Sequence, residues 1–125
     1  MTKKIKIISD SVQMEAELND SETAGLIWNE LPIRGRMNTW GEEIYFEIPV
    51  EQGYENAVEV VEEGDLAYWP QGKCFCIFFG QTPASTATEI KPAGPVNIVG
   101  RLLGNPGDWK AAGPGEEIAL EKEHS

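Results

Sequence analysis

The sequence is short of several residue types on which common chemistries depend. It has one histidine, His124, one residue from the end, which disfavours Ser-His-Asp catalysis and histidine-rich metal sites. Its two cysteines, Cys74 and Cys76, stand one residue apart. That spacing is too tight for ordinary disulfide geometry and short of the Cys-x-x-Cys redox motif, and no second Cys or His pair completes a zinc site. Two reduced thiols buried as small hydrophobes are expected, with no metal and no cofactor. Cations are scarce: ten Lys plus Arg against twenty-one Asp plus Glu leave a formal charge of −11. A polyphosphate or an anionic leaflet would be repelled, so nucleic acid and membrane are excluded as expected partners. No run of about 18 apolar residues occurs, and the start, Met1-Thr2-Lys3-Lys4-Ile5-Lys6, lacks a signal peptide's apolar stretch. A cytoplasmic protein is the expectation.

What is present is enough for one core. Hydrophobic residues make up 41% of the 125, and one domain over residues 1–125 is expected. Ile5 and Ile7, then Val12, Met14, Ala16 and Leu18, alternate with polar residues at the period of a half-buried strand, and Asp10-Ser11 suits the turn between them. From Asn19 to Leu31 the period changes. Ala24, Ile27, Trp28 and Leu31 fall on one helical face, Asn19 or Ser21 is placed to cap it, and Pro32 stops it. Alternation returns from Ile33 to Trp40 and, after a turn at Gly41-Glu42-Glu43, from Ile44 to Ile48. Further strand-like runs cover Val58–Val61, Leu66–Trp69, Cys74–Phe79 and Val96–Leu103.

About eight short strands, one clear helix and no βαβ spacing predict a mainly β protein, a closed barrel with the helix plugging one end. Both faces of Cys74–Phe79 are apolar: Phe75, Ile77 and Phe79 on one, Cys74, Cys76 and Phe78 on the other. Such a strand needs cover on both sides, from a helix, loop or ligand. Gly80–Pro95 reads as a long connection, functional or surface, and residues 104–125 as a partly irregular tail.

Four stretches carry a family resemblance. The longest is Gly64-Asp65-Leu66-Ala67-Tyr68-Trp69-Pro70-Gln71-Gly72-Lys73-Cys74-Phe75-Cys76-Ile77-Phe78-Phe79-Gly80-Gln81-Thr82-Pro83. With it go Glu17-Leu18-Asn19-Asp20, Trp40-Gly41-Glu42-Glu43-Ile44-Tyr45-Phe46 and Pro95-Val96-Asn97-Ile98-Val99-Gly100-Arg101. Together they resemble the cyclophilin-like family of small prokaryotic proteins, mostly without assigned function. The resemblance implies a closed eight-stranded β-barrel with one or two capping helices.

Cyclophilins rotate X-Pro peptide bonds, for which an arginine near the prolyl nitrogen and an apolar pocket for the ring suffice. Carried over, Cys76-Ile77-Phe78-Phe79 looks like the Ser-Gln-Phe-Phe stretch of true cyclophilins and implies Phe79 as a pocket wall. Arg36 is implied as the counterpart of the catalytic arginine of the Phe-His-Arg motif, with Arg34 as second candidate. Here Gly35 precedes Arg36 where the family has His, Met37-Asn38-Thr39-Trp40 follows it, and the family's pocket Trp and His lack counterparts. Whether the chain is an enzyme is left open by these departures.

Each residue also has a plainer reading. Arg34 and Arg36 could be a solvated strand face paired with Glu43 or Glu47, an arrangement of small energetic weight. Tyr68, Trp69, Phe75, Phe78 and Phe79 could fill a core. Trp40 and Tyr45 are candidates for ligand contact at the barrel mouth. Glu59, Glu62, Glu63 and Asp65 read as solvated surface, with no fixed cation geometry. The expected function is binding of a small-molecule or proline-containing peptide ligand, at Arg34, Trp40, Tyr45 and Phe79, with absent or weak isomerase activity. An active isomerase working through Arg36, or a structural and oligomerisation module, monomeric or homodimeric, are the alternatives.

Overall fold

Alternation at the start of the chain becomes two antiparallel strands, β1 (Lys3–Ser9) and β2 (Gln13–Leu18), with Ile5, Ile7, Met14, Ala16 and Leu18 turned into the core. The structure is a computed structural model and describes residues 3–123, so His124 lies outside the described residues. The change of period produces α1 (Glu22–Glu30). Ser21 is its cap, accepting from the Ala24 amide at 3.1 Å, while Asn19 Oδ1 holds Ser21 through its amide and hydroxyl. Glu55, from a distant loop, accepts from the Glu22 and Thr23 amides, so two more of the helix's free N–H groups find an acceptor. Ala24 and Ile27 are fully buried in the core.

The remaining strands are β3 (Ile33–Arg36), β4 (Asn38–Thr39), β5 (Glu43–Glu47), β6 (Asp65–Trp69), β7 (Cys74–Phe78), β8 (Asn97–Leu102) and β9 (Glu117–Lys122). All nine strands among the described residues belong to one sheet in the order β3-β9-β1-β2-β8-β6-β7-β5-β4, and every pairing is antiparallel. The two ends of that order, β3 and β4, are separated in sequence by Met37 alone. A single bent stretch, residues 33–39, therefore pairs with β9 on one side and β5 on the other and brings the edges together. Met37 is buried at the bend; its amide donates to Glu116 and its carbonyl accepts from Gly115. The result is a mainly β, nearly closed barrel, which leaves almost no unpaired edge.

Nine strands stand where eight were expected, for three reasons. Val58–Val61 is not a strand: Val58 and Val61 make only isolated bridges, to Val96 and Ile90. The run Ile33–Trp40 divides at Met37. The stretch read as irregular tail supplies β9, which lies between β1 and β3. That tail also holds a 3-10 helix, Pro106–Ala111, begun by Asn105, whose side chain accepts from the Gly107 amide. Trp109 on this turn is fully buried in the main core, and so large an anchor orders a segment rich in turn residues. None of the helices among the described residues is long and apolar enough to cross a membrane.

The sheet has apolar residues on both faces in its β5-β7-β6 sector. Inward, Ile44, Phe46, Leu66, Tyr68, Phe75 and Ile77 join the main core, and the buried Tyr68 hydroxyl donates to the Val50 carbonyl at 2.6 Å. Outward, Ala67, Cys74, Cys76 and Phe78 form a second, smaller core with Val61 and Val96. The cover over this outer face is the long connection after β7, cross-linked by its own polar groups: Ser85 Oγ accepts from the Thr82 and Lys91 amides, and Thr82 Oγ1 donates to the Lys91 carbonyl.

Candidate functional site

Strand alternation puts Glu43, Tyr45 and Glu47 on the outer face of β5, opposite Phe78, Cys76 and Cys74 of β7. Trp69 ends β6 on the same face, opposite Cys74. The β4–β5 turn is pinned to the start of the long connection, because the Glu42 amide donates to Gln81 and the Phe79 amide donates to Glu42. Gly41 is what allows this closeness. Its φ is +61°, and a Cβ there would lie 2.8 Å from Pro83 and 2.9 Å from the Gln81 carbonyl oxygen. Trp40, just before it, bonds back to Glu43 through both backbone groups, so the indole is carried to the rim of the outer face.

Between the connection and the sheet lies a cavity of about 150 Å³. Trp40, Glu43, Tyr45 and Trp69 form its sheet side, and Pro92, Ala93 and Val96 its cover. A cavity near that size accepts one benzene-sized ring. Most of its wall is aromatic or aliphatic, and the exception is Glu43, a carboxyl only 6% exposed. Its Oε1 is buried with no partner among the described residues, and the same holds for the indole Nε1 of Trp69. A buried polar group left unpaired costs about 1–3 kcal/mol, so this cavity combines apolar walls with one unused acceptor and one unused donor.

Burial pushes the Glu43 carboxyl up to about 7, against a weaker downward influence of the neighbouring Cys76 thiol. Cys74 is pushed up to about 11, and Cys76 well above its ordinary value, by burial and then by neighbouring carboxylates. Both cysteines are free and buried, and thiols held protonated at neutral pH are poor nucleophiles and poor metal ligands. Among the described residues no cluster of His, Cys, Asp or Glu is arranged to hold a metal ion. Of the acidic run, Asp65 is buried and accepts from Arg101 at 2.7 Å and from the Glu62 amide, while Glu59, Glu62 and Glu63 are exposed.

The structure brings Trp40 and Tyr45 together in this cavity and places the other candidates elsewhere. Arg34 and Arg36 are exposed on β3, across from Ala119 and Glu117 of β9, and Arg36 Nη1 donates to the Gly115 carbonyl. Among the described residues neither pairs with Glu43 or Glu47. Phe79 is in the main core. A pocket flanked by an arginine and Phe79 is therefore not what these positions build. The sequence pattern points to Glu43 only as a possible partner of the arginines, and to Pro92 not at all. The available signal is the second apolar face of β7 combined with an acid and a tyrosine at alternate positions of its neighbour.

A family profile described as Cyclophilin-like matches residues 3–121. The chain belongs to the cyclophilin-like family. Among solved structures, the solution structure of a hypothetical protein from Archaeoglobus fulgidus is similar at 38% identity and a TM-score of 0.81, over 98% of this chain and 95% of that one. McbB, whose structure is described in complex with tryptophan, is similar in fold at 16% identity and a TM-score of 0.68. The alignment covers 97% of this cyclophilin-like chain and 45% of McbB. No curated protein matches.

Proposed function

We propose that this cyclophilin-like protein binds a small ligand bearing one compact ring, in the cavity between the β5-β7-β6 face and the connection after β7, and has absent or weak prolyl isomerase activity. The observation that carries the reading is Glu43, a buried carboxyl with an unpaired oxygen set among Trp40, Tyr45 and Trp69. Sites for small molecules have this character, a mainly apolar concavity with few polar groups that fix orientation. The fold likeness to McbB, described with tryptophan bound, lends support to ligand binding as a use of this fold.

The indole N–H of Trp69 is a direct reporter of the cavity. In a nitrogen–proton NMR titration, compounds with one compact ring such as phenol, pyrrolidine and benzyl alcohol are expected to shift that signal together with the amides of Trp40 and Tyr45. A ligand of roughly eight heavy atoms is expected to bind with a dissociation constant on the order of 1 mM or below. If every compound leaves the Trp69 indole unmoved at millimolar concentration, the reading is wrong.

Isomerase catalysis of the cyclophilin kind needs a guanidinium beside the prolyl nitrogen, and neither Arg34 nor Arg36 lines this cavity. A protease-coupled assay with a proline tetrapeptide is expected to run close to the uncatalysed rate. A robust rate abolished by Arg36→Ala would establish the enzyme and place its site on β3.

A further inference from the structure

We infer that the ligand of this cavity is an organic ammonium ion, a ring carrying a protonated primary amine. The inference deepens the binding reading above and rests on it. Three features of the cavity converge on a cation. Trp40, Tyr45 and Trp69 give it three electron-rich ring systems, and the negative faces of such rings attract ammonium groups. Glu43 is the one carboxyl in the lining, and its Oε1 is unpaired. No Lys or Arg among the described residues lines the cavity, so the chain itself offers that oxygen no countercharge. The other titratable groups packed against Glu43 are the Tyr45 phenol on its own strand and the Cys74 and Cys76 thiols of β7, and none of these supplies a positive charge.

A carboxylate enclosed in this way discriminates by charge as well as by shape. An ammonium donates to it in a charge-assisted hydrogen bond inside a region of low dielectric, where such bonds are stronger than neutral ones. A carboxylate or phosphate on the ligand would meet a like charge at close range. The protein's charge of −11 acts in the same direction at longer range, raising the local concentration of cations. The volume of about 150 Å³ matches one ring and a short arm.

Three probes of nearly equal shape separate the charge requirement from the cavity itself: benzylamine, benzyl alcohol and benzoate, each titrated at pH 8 while the Trp69 indole N–H is followed by NMR. Benzylamine is expected to bind about tenfold or more tightly than benzyl alcohol, and benzoate is expected not to bind. In Glu43→Gln the preference for the amine should vanish while benzyl alcohol still binds. Trp40→Leu should weaken amine and alcohol together. Benzyl alcohol binding as tightly as benzylamine, or an amine preference that survives Glu43→Gln, would overturn the ammonium inference and leave the cavity reading standing. Failure of all three probes to move the Trp69 indole would overturn both.

Discussion

Gly100→Ala is expected to lower the stability of the protein by about 3 kcal/mol or more, with a fall in melting temperature on the order of 10 °C. Gly100 sits in β8 between β2 and β6, opposite Leu18 on one side and Leu66 on the other. A Cβ there would lie 2.2 Å from the Glu17 carbonyl oxygen and 3.1 Å from both the Glu17 carbonyl carbon and Leu18 Cα. These are backbone atoms, so rotation of a side chain gives no relief. The clash is removed only by separating β2 from β8, and that strains the pairs Ala16 to Leu102, Glu17 to Arg101 and Leu18 to Gly100. The hydrogen bond from the Asn19 amide to Val99 is next in line. For a domain whose total stability is of the order of 5–15 kcal/mol, this is a large fraction. Gly53→Ala is the control: a Cβ there meets nothing within 4 Å, and its effect is expected within about 0.5 kcal/mol. Thermal unfolding of the two variants beside the parent decides the matter. A Gly100→Ala protein that melts within about 2 °C of the parent would mean that β2 and β8 do not approach so closely.

The elements easiest to see in the sequence are those whose local pattern agrees with their tertiary setting. The β1–β2 hairpin and α1 have clean periods, and Ser21 and Pro32 mark the limits of the helix. Strand β9 is hidden for the opposite reason. Its residues, Glu-Ile-Ala-Leu-Glu-Lys, are mostly good helix formers and follow a Gly/Pro-rich stretch; pairing with β1 and β3 on its two sides makes it a strand. Val58–Val61 misleads the other way, being β-branched and yet without a partner beyond two bridges, because its place is on the outside of the sheet as part of the second core.

The candidate site is half legible. Trp40 and Tyr45 flank a turn, where an exposed ring is conspicuous. Phe79 and the two arginines stand out through motif likeness, which carries no information about the face on which a side chain emerges. Glu43 is one of twenty-one acids, and composition cannot distinguish it from the rest. What sets it apart is a non-local fact: its outward position is covered by a connection that begins only after β7.

That cover has a measurable consequence for stability. Between pH 5 and pH 8, Glu43→Gln is expected to gain about 2.5 kcal/mol relative to the parent, whatever the offset between the two proteins at pH 5. The native carboxyl titrates at about 7 and the unfolded one at 4.5, so the native state holds this proton more tightly. Well below pH 4.5 the carboxyl is neutral in both states. As pH rises through 4.5 and then 7, the unfolded chain ionises first, and stability is lost until the native carboxyl ionises as well and the loss levels off. The gap between the two values corresponds to about 3 kcal/mol, most of which falls inside the chosen window. The amide of the Glu43→Gln variant has no such titration, and any unpaired hydrogen it leaves in the cavity would shift the variant's stability equally at both pH values, cancelling in the difference. The neighbouring thiols stay protonated throughout the window, because Cys74 titrates at about 11 and Cys76 well above its ordinary value. Urea unfolding of both proteins at the two pH values measures the effect. Equal pH dependence in parent and variant would mean that Glu43 is solvated in the folded protein, and the cavity would then lack the buried carboxyl on which its selectivity depends.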